Sequence, residues 1–264
     1  MNTVLVTGAA SGLGWVLARR FFDRGDRVLL ADLDADGLAR RAAELAAEDA
    51  ARVAHRALDL TDGDARQALA DWIERDIGGL DLLVNNAGIT HRSLAADTDP
   101  AVLRRVMAVD WDAPVSLTLA LLPLLRARRG GLINIGSMAG WMPVLGRAGY
   151  CSAKAAFGQF FEVLRGEVAA DGIHILMVYP SFLATPIETN ALGADGTPAA
   201  HARSTTGAMR TPEWMADRIL RGWDRGERRI HGDAVSRFGS LLWRLAPDLY
   251  QRLMTRRFAS ELSK

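Results

Sequence analysis

The chain has 264 residues, of which 49% are hydrophobic and 24% are charged, and its formal net charge is +1. This composition excludes intrinsic disorder, collagen-like sequence and a small disulfide-stapled scaffold, and the balanced charge gives no reason to expect a nucleic-acid partner. Because Cys151 is the single cysteine, an intrachain disulfide is impossible and a cysteine-based zinc site is not expected.

The apolar runs and the start of the chain carry no sign of membrane insertion or export. The longest apolar run, residues 119–125, contains Pro123 and is too short to cross a bilayer. A strand-like run and a glycine-rich turn begin at Asn2, so no secretory or transit peptide fits there. We therefore expect a cytoplasmic protein.

Short apolar runs alternate with helical periodicity through the first 180 residues or so. Most runs are uninterrupted, as in strands that are covered on both faces. They predict strands at residues 3–7, 27–31, 52–58, 80–84, 131–135 and 173–179. Strands and helices alternating at this spacing predict right-handed βαβ units, and therefore a doubly wound parallel β-sheet flanked by helices on both faces. No repeat or linker interrupts the pattern, so we expect a single domain over residues 1–264.

A glycine-rich turn, T-G-A-A-S-G-L-G, joins the first predicted strand to a helix. In such a turn one glycine permits the tight bend, one lets the backbone approach a pyrophosphate, and one allows close packing of helix on strand. The phosphates would face the free N–H groups at the start of the helix. The residues expected to contact a dinucleotide here are Gly8, Ser11, Gly12, Leu13 and Gly14. The alternative is an ordinary glycine-rich turn without a ligand.

Asp32 directly follows the second predicted strand, where a carboxylate can accept hydrogen bonds from a ribose diol. Such a carboxylate repels the 2′-phosphate of NADP, and the neighbouring Ser11 and Leu33 offer no cation to bind one. We therefore expect NAD(H) in preference to NADP(H).

Tyr150 and Lys154 are four residues apart in Y-C-S-A-K, which on a helix places both side chains on one face. Every other internal cation is an arginine, so Lys154 suggests a task that a guanidinium cannot perform. A neighbouring ammonium lowers the pKa of a phenol and so makes it a better proton carrier near neutral pH. Ser137, 13 residues before Tyr150, could hydrogen-bond the reacting oxygen. On its own, the spacing of Tyr150 and Lys154 also fits an ordinary helix surface.

With these motifs in place, the sequence resembles the short-chain dehydrogenase/reductase family in its compact single-domain subtype, over residues 2–185. The motifs that carry the resemblance are T-G-A-A-S-G-L-G at 7–14, D-L-T at 59–61, N-N-A-G at 85–88, Ser137, Y-x-x-x-K at 150–154 and Y-P-S-F-L-A-T at 179–185. The resemblance implies a Rossmann-like fold, a nicotinamide dinucleotide, and hydride transfer between an alcohol and a ketone.

The resemblance also implies roles for individual residues. Tyr150 would be the general acid–base, Lys154 would bind the nicotinamide ribose and lower the pKa of Tyr150, and Ser137 would orient and polarise the substrate oxygen. Asp59 and Leu60 would lie beside the adenine. The remaining implied cofactor contacts are Asn86, Ala87 and Gly88 along the channel, with Pro180 and Thr185 at the nicotinamide.

Two positions depart from the family pattern. Asp110 occupies the place where the family often has an asparagine that supports a water-mediated proton relay to the lysine. If only the backbone carbonyl holds that water, Asp110 changes little; if the side-chain N–H matters, the relay is altered. We expect an active enzyme with a modified relay, to which Asp110 contributes as a catalytic-site residue. The second departure is Ser181, which follows Pro180 where a glycine is usual.

Substrate contacts are expected from apolar residues around the catalytic end. The predicted substrate residues are Met138, Trp141, Met142 and Phe182, and ordinary core packing is the alternative for each. They favour a hydrophobic secondary alcohol or ketone, although Arg147 could engage an anionic end. Residues 186–211, which are small, polar and glycine-bearing, are predicted to form a lid. The five histidines are scattered without helical pairing, so no metal site is expected.

The C-terminal part carries the Arg-rich amphipathic tail, residues 235–258, after a helix predicted at 212–224. Its apolar stripe is Phe238, Leu241, Leu242, Leu245, Leu249 and Leu253, with Pro247 expected to kink it. The stripe is expected to pack on its own domain or on a partner subunit. The alternative is an interfacial helix that touches membrane lipid. Broad apolar surfaces on helices at 103–125 and 150–169, a pair that often forms the subunit interface in the family, predict a homodimer or homotetramer.

The sequence thus favours an NAD-dependent alcohol dehydrogenase or ketone reductase. The alternative from another class is a dinucleotide-binding regulatory protein without turnover, for which Asp110 is the sequence support. A lyase or dehalogenase on the same fold needs no nicotinamide, which the intact glycine turn and Lys154 argue against. A sugar-nucleotide epimerase generally has a longer chain and a different glycine spacing.

Overall fold

The structure is a computed structural model that describes residues 1–185, 187, 189–199 and 209–259. Its strands are β1 (Thr3–Thr7), β2 (Arg27–Asp32), β3 (Val53–Ala57), β4 (Leu82–Asn85), β5 (Gly131–Ile135), β6 (His174–Tyr179) and β7 (Arg229–His231). They form one parallel sheet in the order β3-β2-β1-β4-β5-β6-β7. From β1 to β3 successive strands are added toward one edge of the sheet, and from β4 onward they are added toward the other edge. Open α/β sheets bind ligands at such a switch point, which here lies between β1 and β4.

Helices cover both faces of the sheet. The α-helices of the described residues are α1 (Gly12–Asp23), α2 (Ala35–Asp49), α3 (Gly63–Trp72), α4 (Pro100–Met107), α5 (Ala113–Arg128), α6 (Ala148–Glu167), α7 (Pro212–Asp224), α8 (Ala234–Leu245) and α9 (Pro247–Arg257). One apolar core lies between the sheet and α1, α2 and α7, and the second lies between the sheet and α3, α5 and α6. The central strands are buried on both faces, which explains their uninterrupted apolar sequences.

The predicted doubly wound parallel sheet is confirmed. The strands predicted at 3–7 and 131–135 and the helix at 212–224 have the predicted bounds, and the other predicted strands differ by one or two residues at one or both ends. Strand β7 was not predicted from the sequence, because it is three residues long and only Ile230 among them is fully buried.

One continuous helical stretch joins α4 to α5 through a π-helical turn at Ala108–Asp112. By length and composition alone, the 29 residues Pro100–Arg128 could cross a membrane, but half of their apolar window is buried inside the protein. Helix α5 packs on the sheet through buried leucines, as a core helix does. The widened turn is functionally important because it carries Asp110.

The C-terminal tail differs from the prediction in its kink and in the packing of its stripe on its own domain. Pro247 does not kink one helix; it is the first residue of a separate helix, α9. Most of the apolar stripe faces solvent, with Phe238, Leu241, Leu245, Leu249 and Leu253 all exposed. Most of the stripe therefore does not pack on its own domain, and packing on a partner subunit stays a prediction.

Candidate active site

A cavity of about 650 Å³ runs along the carboxyl ends of the parallel strands. At one end it is lined by the glycine-rich turn and Asp32, and at the other by Ser137, Tyr150 and Lys154. The predicted cofactor residues that line it are Gly8, Ser11, Gly12, Leu13, Asp32, Asp59, Leu60, Asn86, Ala87, Gly88, Tyr150, Lys154, Pro180 and Thr185. One cavity therefore brings together nearly all the residues that the sequence selected.

The glycine-rich turn leaves no room for side chains where backbone must come close. Gly8 has φ +68°, and a Cβ added to it would lie 2.8 Å from Asn86 Nδ2. Gly14 lies behind the cavity wall, where an added Cβ would come within 2.1 Å of the Gly8 carbonyl oxygen. The turn thus forms a cradle that only glycine backbone permits, as a bound pyrophosphate requires.

Thr7, which the sequence analysis did not select as a site residue, ties this turn to the loop after β4. Its Oγ1 accepts hydrogen bonds from the backbone N–H groups of Asn86, at 3.0 Å, and Ala87, at 3.1 Å. Its hydroxyl donates to the Val84 carbonyl oxygen at 3.1 Å. Asn86 Nδ2 in turn donates to the Thr7 carbonyl oxygen at 2.9 Å. These bonds fix the two loops that form the middle of the cavity.

The carboxylate of Asp32 is held by two backbone N–H groups. Oδ2 accepts from Ala10 at 2.9 Å and Oδ1 from Asp34 at 3.0 Å, which leaves lone pairs that can accept from a ribose diol. Leu33 beside it is exposed and apolar. Nearby, Asp59 accepts two hydrogen bonds from Thr61, and these lower the pKa of Asp59. This end of the cavity therefore presents fixed carboxylates.

Tyr150 and Lys154 both lie on α6, one helical turn apart, as the spacing predicts. The Lys154 Nζ atom lies 5.8 Å from the centre of the Tyr150 ring and 5.1 Å from that of Phe157. The lysine side chain is 5% exposed, and Nζ donates to the Ile135 carbonyl oxygen at 3.3 Å. The ammonium is therefore fixed at the end of β5, beside the phenol and the cavity.

Ser137 follows β5 and caps a short 3₁₀ turn at Met138–Gly140. Its Oγ accepts a hydrogen bond from the Ala139 backbone N–H at 3.1 Å. Because this bond uses the oxygen as acceptor, the hydroxyl hydrogen can be donated to an oxygen in the cavity. The cavity end is thus bordered by a hydroxyl, a phenol and an ammonium.

Asp110 is fully buried behind the cavity rather than in its lining. The π-helical turn directs its carboxylate to the loop after β4, where Oδ1 accepts from the Ile89 backbone N–H at 2.7 Å. Oδ2 lies 3.6 Å from Lys154 Nζ. Burial raises the pKa of Asp110, and the nearby ammonium of Lys154 opposes that effect. The residue that replaces the usual asparagine is therefore the direct ionic neighbour of the lysine.

His91 has a positional role that the sequence analysis missed. Its ring is completely buried, and Nε2 accepts a hydrogen bond from the Gly149 backbone N–H at 2.9 Å. Nδ1 lies 3.2 Å from Ser93 Oγ, which in turn contacts Thr98 Oγ1 at 2.7 Å. Burial lowers the pKa of His91 to about 4, so the ring is neutral and can accept at Nε2. His91 thereby holds the start of α6, immediately before Tyr150.

The four predicted substrate residues divide into two pairs. Met138 and Phe182 line the cavity, whereas Trp141 and Met142 do not. Trp141 packs 4.4 Å from Tyr179 and 4.5 Å from His231 between ring centres. Met142 is buried against α8. Trp141 and Met142 therefore support the wall from behind, which differs from the direct contact expected of them.

The segment predicted to be a lid lies partly beside the cavity. Of its described residues, Ile187 and Asn190 line the cavity, and Leu192 accepts a hydrogen bond from the Arg92 backbone N–H at 2.7 Å. Residues 186, 188 and 200–208 of the predicted lid lie outside the described part of the chain. Arg147 also lines the cavity, and its Nη1 donates to Thr90 Oγ1 at 2.9 Å.

The described residues also bear on two other kinds of site, a metal site and a reactive thiol at Cys151. Among residues 1–185, 187, 189–199 and 209–259, no group of three or more His, Cys, Asp or Glu side chains could hold a metal ion. Burial raises the pKa of the Cys151 thiol, which favours the unreactive protonated form and agrees with a packing role.

Known proteins similar to this chain belong to the family that its sequence motifs resemble. A model of the short chain dehydrogenase family matches residues 2–194. The chain is 36% identical to dehydrogenase/reductase SDR family member 7B of Bos taurus, over 98% of this chain and 82% of the relative. It is 34% identical to dehydrogenase/reductase SDR family protein 7-like of Anopheles gambiae, over 97% of this chain and 83% of that protein.

Solved structures share the fold over nearly the full length. A short-chain dehydrogenase from Sphingobium yanoikuyae, in complex with NADPH, is 27% identical with a TM-score of 0.80, covering 97% of this chain and 96% of that one. A short-chain dehydrogenase/reductase from Burkholderia phymatum, in complex with NAD, has a TM-score of 0.82, covering 94% of each chain. At 21% identity, the latter likeness shows the fold alone.

Proposed function

We propose that this chain, which belongs to the short-chain dehydrogenase/reductase family, transfers a hydride between NAD(H) and a hydrophobic secondary alcohol or its ketone. The family match and the dehydrogenase/reductase relatives support an oxidoreductase that binds a nicotinamide dinucleotide. The observation that carries the proposal is the meeting of Ser137, Tyr150 and Lys154 at one end of a cavity whose other end holds Gly8 and Asp32. A dinucleotide fits this arrangement because the glycine cradle excludes side chains and the Asp32 carboxylate can accept from a ribose.

The chain's own groups account for the proton that accompanies hydride transfer. When bound, the nicotinamide supplies the hydride acceptor or donor. In the oxidising direction Tyr150 takes the proton of the alcohol hydroxyl, and in the reducing direction it returns a proton to the ketone oxygen. Ser137 donates its hydroxyl hydrogen to that same oxygen and so fixes it beside the phenol. Lys154 binds the nicotinamide ribose, and its ammonium favours the deprotonated phenol.

Asp110 is proposed to modify this machinery without being essential to it. Replacing it by asparagine keeps an oxygen for the Ile89 N–H and removes only the charge beside Lys154. We expect Asp110→Asn to keep kcat/KM within about tenfold of wild type, or ~1.4 kcal/mol in the barrier. Asp110→Leu, which leaves the Ile89 N–H without its acceptor, should lose more. A loss above about a hundredfold in the asparagine variant would show that the carboxylate charge itself is required.

The proposed cofactor preference rests on the carboxylates at the adenosine end. Asp32 and the neighbouring Asp34 line the cavity there, and Leu33 between them supplies no cation. A 2′-phosphate placed near Asp32 would be repelled by the carboxylate. Fluorescence titration should show NADH binding at least about tenfold more tightly than NADPH, or ~1.4 kcal/mol. Asp32→Ser combined with Leu33→Arg should reverse that order, and equal affinities in the wild type would refute the preference.

The proposed substrate class rests on the apolar lining at the catalytic end. Met138, Val144, Phe182 and Leu183 border the cavity there, and apolar walls gain free energy from apolar substrates. We expect NADH absorbance to report oxidation of bulky apolar secondary alcohols, with much slower turnover of small charged hydroxy acids. The reverse order of rates would point to Arg147 as the anchor of an anionic substrate.

A regulatory protein that binds the dinucleotide without turnover is the second candidate. The buried carboxylate of Asp110, 3.6 Å from Lys154, is the observation that favours it, because it places a counter-charge on the catalytic ammonium. A panel of alcohols assayed with NAD, and of ketones assayed with NADH, separates the two candidates. NADH binding with no absorbance change for any of them would support the regulatory function.

A further inference from the structure

Helix α8 is amphipathic with its apolar side turned away from the protein. Its buried residues are the small polar Ser236 and Ser240. Ser236 Oγ lies 3.2 Å from Met138 Sδ, and a Cβ added to Gly239 would lie 2.9 Å from Met142 Sδ. The outward side carries the exposed residues Val235, Phe238, Leu241 and Leu245. Helices of globular proteins ordinarily show the opposite orientation, so this surface needs an apolar partner.

Helix α9 continues the same surface and fixes it to the protein body. Leu249 and Leu253, four residues apart on one side of the helix, are both about half-exposed. On the other side the Tyr250 hydroxyl donates to the Pro143 carbonyl oxygen at 2.8 Å, and Phe258 is buried. The exposed side chains are therefore held in place by a folded hairpin, which we name the α8–α9 hairpin, residues 234–257.

The α8–α9 hairpin is strongly basic. Within it, five arginines accompany a single acidic residue, Asp248. The arginines are Arg237, Arg244, Arg252, Arg256 and Arg257. Arginine stems lie along apolar surface while their guanidinium groups reach outward, an arrangement suited to a lipid headgroup layer. All five arginines are exposed, although the Arg244 guanidinium lies over the Trp141 ring at 5.2 Å from its centre. Exposed arginines beside exposed Phe and Leu side chains are typical of a helix that lies in a membrane interface.

A second copy of the chain fits this surface poorly. A two-fold contact places the same patch on both subunits, so the arginines of one α8–α9 hairpin would face those of the other. The surface expected to form the subunit interface lies elsewhere, on α5 and α6, where Leu119 and Val163 are each about half-exposed. An anionic surface with an apolar interior satisfies both the charge and the hydropathy of the hairpin.

We propose that the α8–α9 hairpin docks the protein on an anionic lipid bilayer. The Phe and Leu side chains enter the acyl boundary while the arginines contact the headgroups. Because α8 packs on Met138, which lines the cavity, docking brings the substrate end of the cavity next to the bilayer. An apolar substrate dissolved in the membrane would then have a short path to Tyr150, a consequence that rests on the function proposed above.

The test uses the whole protein and vesicles of two compositions. We expect co-sedimentation at low salt with vesicles of equimolar phosphatidylcholine and phosphatidylglycerol, weaker binding as salt is raised, and much weaker binding to pure phosphatidylcholine. Phe238→Glu and Leu241→Glu should each weaken binding at least about tenfold, because each removes a large buried apolar area. Ala43→Glu, which adds the same charge at an exposed position of α2 near the opposite edge of the sheet, should bind as wild type.

Three results would overturn the proposal. One is failure of the wild-type protein to sediment with the phosphatidylglycerol vesicles at low salt. Another is unchanged binding in both Phe238→Glu and Leu241→Glu. The last is an oligomeric mass for the wild-type protein and a monomeric mass for Phe238→Glu in light scattering, which would identify a second copy of the chain as the partner of this surface. Turnover of a water-soluble secondary alcohol should stay unchanged in Phe238→Glu, so a failure of the proposed enzyme activity is read independently of vesicle binding.

Discussion

Replacing Tyr150 by phenylalanine should reduce the turnover of alcohols by about 10³-fold, or ~4 kcal/mol in the barrier, while the affinity for NADH changes little. The substitution removes only the phenol oxygen that is proposed to carry the proton. The ring keeps its place on α6, 5.8 Å from Lys154 Nζ. Single-turnover and steady-state rates, followed by NADH absorbance, give the loss in the chemical step, and fluorescence titration gives the affinity.

The chain offers a matched control, because it has only three tyrosines. Tyr250 also uses its hydroxyl, which donates to the Pro143 carbonyl oxygen at 2.8 Å, but it does not line the cavity. Tyr250→Phe should therefore cost about 1 kcal/mol of stability and leave kcat nearly unchanged. If both variants kept full activity, the proton would have to be carried by a group other than Tyr150.

Replacing Gly14 by alanine should weaken NADH binding at least about a hundredfold, or ~2.7 kcal/mol, and lower the melting temperature. The new methyl group would lie 2.1 Å from the Gly8 carbonyl oxygen and 2.5 Å from Asn86 Nδ2. Backbone cannot yield as a flexible side chain does, so the glycine turn must move away from the start of α1. Fluorescence titration of NADH, with circular dichroism to confirm folding, measures the effect.

Gly166 provides the matched control for the added methyl group. It lies within α6, and an added Cβ would meet nothing within 4 Å. Gly166→Ala should bind NADH normally and be more stable by up to about 1 kcal/mol, because alanine favours the helix. Wild-type NADH affinity in Gly14→Ala would mean that the dinucleotide does not depend on the geometry of this turn.

The sheet could be predicted because the sequence signals of most of its strands lie within the strands themselves. The buried strands are uninterrupted apolar runs, and the start of α1 is marked by the glycine turn. Strand β7 escaped prediction because pairing with β6, rather than its own sequence R-I-H, makes it a strand. The inverted orientation of α8 could not be predicted either, since a hydrophobic stripe shows that a helix has two sides but not which one is covered.

The active-site residues divide in the same way. Tyr150 and Lys154 were found because they share one helix, whose geometry fixes their separation. His91 and Gly149 are 58 residues apart, and no pattern in the sequence around either residue indicates the hydrogen bond between them. The proximity of Asp110 and Lys154 depends on a π-helical turn, which hydrophobic periodicity does not reveal. Trp141 and Met142 lie between Ser137 and Tyr150 in the sequence, but Trp141 packs on Tyr179 and Met142 packs on α8, so neither lines the cavity.

The most direct test of the account follows the hydrogen on the carbinol carbon. A hydrophobic secondary alcohol carrying deuterium at that carbon is incubated with the protein and NAD, and the nucleotide is examined by mass spectrometry. We expect the deuterium to appear in the NADH, because it moves as a hydride while Tyr150 receives only the hydroxyl proton. Deuterium released to water, or no reduced nucleotide with any alcohol of the panel, would contradict it.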